Sequence, residues 1–222
     1  MSEKTLRRGR PYTVGEEIVN AITHGIGVGL SIAALVLLVV RAARYAPADR
    51  YAECVVGYAL FGATLILLYL MSTLYHSLSF TRAGLVFRVL DHTAIYLLIA
   101  GTYSAFTLTM LPGALGWTIF GTCWGLAIIG ITLDAATVCR YERISLAIYL
   151  LMGWLIIVAI RSIIAAATGT VVIFLASGGL CYTLGCIFFV MNRLFMHGVW
   201  HLFVLAGSIL QFFAAYLLLP MR

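Results

Sequence analysis

From Ile18 to Val40 the chain carries no Asp, Glu, Lys or Arg. A helix of that length crosses a hydrocarbon core of about 30 Å. The run exceeds the apolar region of a cleaved signal peptide, about 7–15 residues, so it is expected to stay as an anchor. Six more apolar runs follow, at roughly 52–76, 89–110, 115–138, 144–164, 170–190 and 197–219. All seven are expected to be helices, because backbone exposed to lipid must satisfy its own hydrogen bonds. Seven spans of about 21 residues use roughly 147 positions, which leaves no room for a second, soluble domain. The expected organisation is a short cytoplasmic tail over residues 1–16 and one seven-helix transmembrane domain over 17–219. Composition agrees: 63% of the 222 residues are apolar, 10% are charged, and the mean hydropathy is +1.06. Soluble domains run about 45–50% apolar and about 25% charged. A soluble fold, a disordered chain and a nucleic-acid module are therefore excluded. The fold class expected is all-α, a polytopic membrane bundle.

Breaks between spans are expected at Pro47, at Pro112-Gly113, around Cys139–Arg143 and near Gly169. Arg161 and the alanines at 165–167 blur the end of span five. The net charge of +6 resides mainly in the tail and between apolar runs, where basic residues anchor and orient helices. With the N-terminus inside, nine Lys and Arg face the cytoplasm: Lys4, Arg7, Arg8, Arg10, Arg82, Arg88, Arg140, Arg143 and Arg193. Five face outward, Arg41, Arg44, Arg50, Arg161 and Arg222. That bias predicts a cytoplasmic N-terminus, and the expected location is the plasma (inner) membrane. The five cysteines form no C-x-x-C pair, so neither a disulfide framework nor a thiolate metal site is expected. Gly25/Gly29 and Gly121/Gly125 form small-x-x-x-small faces, expected to pack helices inside the bundle.

The ionisable residues within or at the edge of the spans are His24, His76, Asp91, His92, Asp134, His197 and His201. An Asp at mid-membrane costs about 2.5–3.5 kcal/mol on insertion scales, which makes such groups functional candidates. His76 ends span two, Asp91 and His92 begin span three, and His197 and His201 begin span seven. Span parity puts all five at one side of the membrane and at similar depth. Asp134 has no histidine beside it and reads as an interfacial residue. His24 and His92 stay open between an interfacial role and a place in the site. Asp91 has a plain alternative in pairing with Arg88, three residues before it.

His197 and His201 lie four residues apart, on one helical face. With His76 they supply three imidazoles, the donor set of a catalytic zinc with an open fourth position. Ligand type alone also admits copper, nickel or iron. Gly198 stands where an H-E-x-x-H motif has its glutamate, so a general base must come from another helix. Asp91 is the nearest candidate in depth. Ser72, one turn before His76, shares its helix face and can hold a water or a substrate oxygen. It can equally bond its own backbone one turn back.

Four ordered motifs carry a resemblance across most of residues 13–219. They are Glu16-Glu17-x-x-Asn20-x-x-Thr23-His24-x-x-Gly27; Ser72-Thr73-Leu74-Tyr75-His76-Ser77; Leu90-Asp91-His92 with Ala100-Gly101-Thr102-Tyr103; and His197-x-x-x-His201 with Phe203-Val204-Leu205-Ala206-Gly207. Together they resemble the bacterial hemolysin III proteins of the progestin and adipoQ receptor family, which is similar to the alkaline ceramidases. The resemblance implies seven helices with the N-terminus inside. It also implies a zinc on His76, His197 and His201, with Asp91 holding a zinc-associated water. Ser72 matches the serine of the family's S-x-x-x-H motif. Ala105 stands where the bacterial pattern often has proline, so no proline kink is expected there. With about sixteen residues before span one, the long N-terminal region of the animal hormone receptors is not expected.

Three functions follow as expectations. The first is a zinc-dependent intramembrane hydrolase of lipid amide or ester bonds, with an acyl-chain ligand inside the bundle and a part in membrane lipid homeostasis. Asp91 would move the water proton and Ser72 would orient water or oxyanion. The second is a non-catalytic, zinc-stabilised membrane sensor. The third is a cytolysin, which seven uncleaved apolar spans argue against. No nucleic-acid or soluble protein partner is expected.

Overall fold

The first helix starts ahead of the apolar run because Thr13 and Glu16 form a capping box. Thr13 Oγ1 accepts from the Glu16 backbone N–H at 3.3 Å, and Glu16 Oε2 accepts from the Thr13 N–H at 2.9 Å. The computed structural model describes residues 11–219, which are helical with no strand among them. The helices are α1 (Val14–Tyr45), α2 (Tyr51–Leu78), α3 (Gly84–Met110), α4 (Ala114–Thr137), α5 (Glu142–Trp154), α6 (Ile160–Ala166), α7 (Gly169–Val190) and α8 (Met196–Leu218). A 3-10 turn at Leu155–Ala159 joins α5 to α6, and together they form one span. The result is seven spans, each long and apolar enough to cross a membrane. The breaks expected at Pro47, Pro112-Gly113, Cys139–Arg143 and Gly169 all separate helices. Gly113 turns the chain at φ 80° and ψ −158°, a region that only glycine adopts readily. α3 passes through Ala105 without interruption.

The fifth span is irregular earlier than the Arg161 boundary. The α-helix gives way to a tighter 3-10 turn at Leu155–Ala159, and the Tyr103 hydroxyl of α3 donates to the Gly153 carbonyl at 2.9 Å. Non-helical backbone at membrane depth survives where protein satisfies it or where it lines a cavity. Both hold here, since Gly153, Ile156 and Ile157 line the internal chamber described below.

Each span contacts its neighbours in chain order, and α8 returns to α1, which closes a ring. α3 also touches α5 and α8 and so lies towards the middle. Arginines close two helix ends. Arg41 Nη2 donates to the Leu219 carbonyl at the end of α8 at 2.5 Å. Arg50 reaches the carbonyls of Leu108 and Thr109 near the end of α3 at 2.7 and 3.2 Å. A cation at a helix C-terminus meets the negative end of its dipole.

The glycines that allow close packing are not the expected pairs. An added Cβ at Gly29, Gly121 or Gly125 would meet nothing within 4 Å. At Gly27 it would lie 2.5 Å from the Tyr69 ring, and at Gly101 2.0 Å from Thr64 Oγ1. Tyr69 is held in place by a 2.7 Å hydrogen bond to Ser208 Oγ on α8, so it cannot easily yield. Gly27→Ala is therefore expected to cost about 1–3 kcal/mol by overpacking. Gly29→Ala, two residues along the same helix, should be neutral or slightly stabilising. Thermal unfolding in detergent compares the two, and equal midpoints would refute the assignment.

Candidate functional site

Helix α1 supplies a buried polar stripe. Glu16 and Glu17 are 1% and 4% exposed, and Asn20 and His24 lie buried on the following turns. Unpaired carboxylates are costly in such a place, and each here has partners. Glu16 Oε1 accepts the Phe195 N–H at 2.8 Å, which holds the start of α8 against α1. Glu17 Oε2 accepts from His76 Nδ1 at 2.6 Å.

That contact fixes the orientation of His76. With Nδ1–H committed to Glu17, the acceptor nitrogen is Nε2, which is buried and has no hydrogen-bond partner among the described residues. His201, also buried, is held in the same manner: its Nδ1 lies 3.2 Å from both the Asn20 carbonyl and Thr23 Oγ1. Thr23 Oγ1 in turn donates to the carbonyls of Val19 and Asn20 at 2.9 and 3.0 Å. Both rings thus spend Nδ1 on α1 and keep Nε2 for another use. Metal-binding histidines are commonly held through the second nitrogen in this way.

His197 completes the cluster. Ring centroids lie 5.2 Å apart for His76 and His197, 5.0 Å for His76 and His201, and 4.7 Å for His197 and His201. One nitrogen from each falls within 4.8 Å of the other two, a group that can hold a metal ion. The donor set, three imidazoles with the His76 acceptor nitrogen orphaned and buried, fits zinc.

His24 takes a different place. It stacks on His201 at 3.5 Å between centroids and 8° between planes. Nitrogen lone pairs lie in the ring plane, so two parallel stacked rings cannot aim them at one ion. His92 Nδ1 lies 3.0 Å from the Arg88 carbonyl one turn back and 3.8 Å from Asp91 Oδ2.

Asp91 and Ser72 reach the same region from α3 and α2. Both line an internal chamber of about 350 Å³, together with His24, His92, His197 and His201. Ser72 Oγ is buried, faces Asp91, and makes no hydrogen bond of ordinary geometry. The alternative of a bond to its own helix carbonyl is therefore not realised. Nor is a pairing of Asp91 with Arg88 the main use of that arginine, whose Nη2 donates to Glu142 Oε1 of α5 at 2.8 Å. Beyond the polar end the chamber is apolar, walled by Leu68, Ile95, Phe106, Ile163, Leu175 and Val204.

Asp134, expected to be interfacial, faces the bundle interior and is not part of this cluster. It is fully buried, accepts from Ser145 Oγ at 2.5 Å, and lies 3.4 Å from the Tyr149 hydroxyl. Tyr149 also donates to the His92 carbonyl at 2.9 Å, so the Asp134 group pins α5 to α3 and α4. Depth alone placed Asp134 near a headgroup layer; the partners across α5 show its use.

Glu17, Asn20 and Thr23 were not singled out as site residues by spacing. The available signal was two adjacent glutamates entering an apolar helix, followed at i+3 and i+6 by polar residues on one face.

The chain as a whole is similar to known proteins. The haemolysin-III related family model matches residues 12–212. The chain is 47% identical to the hemolysin-3 of Bacillus cereus over 96% of its own length and 95% of the relative's. It is 44% identical to a hemolysin-3 homolog of Bacillus subtilis over 91% and 93% of the two lengths. It is also 27% identical, over 70% and 67%, to the human monocyte to macrophage differentiation factor, a progestin and adipoQ receptor family protein. Seven apolar helices, a buried histidine cluster and these matches over nearly the whole length make the chain a multi-pass membrane protein of the haemolysin-III family.

Proposed function

We propose that this chain is a zinc-dependent hydrolase acting within the membrane on an amide or ester bond of a lipid. The observation that supports it most is the meeting of the three-histidine group, Asp91 and Ser72 at the polar end of an apolar chamber. A structural metal site is usually closed by four protein ligands, whereas three histidines leave a position for chemistry. His76, His197 and His201 would hold the ion, with Glu17, Asn20 and Thr23 holding two of the rings. Zinc supplies Lewis-acid polarisation of a carbonyl and lowers the pKa of a water towards about 7. Asp91 takes the attacking water's proton and returns it to the leaving amine or alkoxide. The Ser72 hydroxyl, buried and facing Asp91, donates to the oxygen on which negative charge develops. The apolar walls hold the acyl chain and keep bulk water from the reacting bond.

A second reading has its own support. Glu16, Glu17, Asn20 and Thr23 tie α1 to α2 and α8 around the histidines. A metal there would staple α2 to α8, with α1 held through the other nitrogens of the rings, as a sensor or a purely structural site requires. A cytolytic role has no comparable support, because seven apolar spans leave no water-soluble form from which to insert.

The readings separate on turnover. Purified protein mixed with lipid extract in detergent should release fatty acid, detected by mass spectrometry. Stripping the metal with a chelator should abolish release, and adding zinc should restore it. Folded, metal-loaded protein that releases nothing from any lipid class would leave the staple reading standing.

A further inference from the structure

A second cavity, of about 400 Å³, opens at the same end of the bundle. It shares His92, Phe189 and His197 with the chamber, so the two adjoin at the histidine cluster. Its character is different. Arg88, Arg143 and Arg193 line it, and among the described residues Glu142 is the one carboxylate in its lining. Glu142 is already engaged by Arg88 at 2.8 Å. Arg143 and Arg193 therefore bring two positive charges to one vestibule, with no further lining carboxylate among the described residues to offset them. They come from separate elements, the first turn of α5 and the loop before α8, and both are exposed. Tyr141, Glu142 and Arg143 also bring the start of α5 to this wall, and no side chain caps that helix start. A helix N-terminus adds partial positive charge and backbone donors.

We infer that this vestibule binds a phosphate group, the headgroup phosphate of a lipid whose acyl chain occupies the adjoining chamber. Guanidinium groups pair with phosphate through parallel N–H···O bonds, which makes arginine the fitting residue for such an anion. Its place against the apolar chamber, across a wall of His92, Phe189 and His197, suits a ligand anionic at one end and hydrocarbon at the other. His197 lies in the shared wall, so the linkage between headgroup and chain would sit beside the histidine cluster. The inference deepens the hydrolase reading by naming an anionic phospholipid as substrate class, and for the identity of the cleaved bond it rests on that reading. Free phosphate has the same head chemistry without the chain.

The test is binding without turnover. Detergent-purified full-length chain is titrated with dioleoylphosphatidic acid, dioleoylglycerol, sn-glycerol 3-phosphate and inorganic phosphate, and occupancy is read by native mass spectrometry. Phosphatidic acid should bind at least about tenfold more tightly than dioleoylglycerol, the loss typical of removing a charged hydrogen-bond partner. Arg143→Gln and Arg193→Gln should each remove much of that preference and leave dioleoylglycerol binding unchanged. Added salt should also shrink it, because both arginines are exposed. Inorganic phosphate binding as tightly as phosphatidic acid, and lost in the same variants, would support the anion site and assign it a soluble ligand. Equal binding of phosphatidic acid and dioleoylglycerol, or full preference in the double variant, would overturn the inference. Selective binding of phosphatidic acid with no product from any lipid would refute the hydrolase reading alone.

Discussion

Wild-type protein is expected to purify with metal in near one-to-one amount, and His76→Ala or His197→Ala to purify without it. Removing one of three imidazoles leaves two donors, too few for a site of this kind to retain its ion through purification. Glu17 gives the graded version of the same experiment. Its carboxylate holds His76 Nδ1 at 2.6 Å and thereby selects the tautomer that offers Nε2. Outer partners of this type are worth about 10–100-fold in metal affinity. Glu17→Gln keeps the size and removes the charge, so zinc titration of metal-free protein should show a loss in that range. His24→Ala should bind metal as wild type does, because the stacked ring cannot share the ion. Elemental analysis and calorimetry read all four variants. Unchanged metal content in His76→Ala and His197→Ala would refute a three-histidine site.

Asp91→Asn is expected to separate binding from chemistry. The side chain lines the chamber beside Ser72 but lies outside the three-histidine group. Asparagine is nearly isosteric and cannot accept a proton at neutral pH. Removing a general base costs about 10²–10⁴-fold in rate. Metal content and unfolding temperature should stay near the wild-type values while fatty acid release falls by that factor. Ser72→Ala should lower release by about 10²–10³-fold, the range for one oxyanion donor, again with metal retained. Release by Asp91→Asn at the wild-type rate would refute the assigned role. A variant that loses metal together with activity would instead place Asp91 among the groups that hold the ion.

Much of this arrangement was legible along the chain. Hydropathy located every span, and Pro47, Pro112-Gly113 and Gly169 marked real interruptions. Parity placed His76, Asp91, His197 and His201 at one depth, and the structure lines Asp91, His197 and His201 along one chamber with His76 packed against the two α8 rings. Direction around each helix axis was harder to read. Gly25 and Gly29 look like a packing face, yet Gly27 between them meets Tyr69. Asp134 has a depth that suits an interface, yet it faces Ser145 and Tyr149 across the bundle.

The difference has a physical origin. Span number, span length and depth depend on quantities that add up along one segment: transfer free energy per residue and a rise of about 1.5 Å per residue. The sequence alone therefore determined seven helices, their breaks and the common level of the histidines. Which face of a helix meets which neighbour depends on packing and hydrogen bonds between segments, and lipid is as apolar as the bundle interior. Hydropathy cannot tell those two surroundings apart. Only the tertiary structure decided that Glu17, Asn20 and Thr23 hold the imidazoles from behind, that His24 stacks on His201, and that Arg143 and Arg193 face one vestibule.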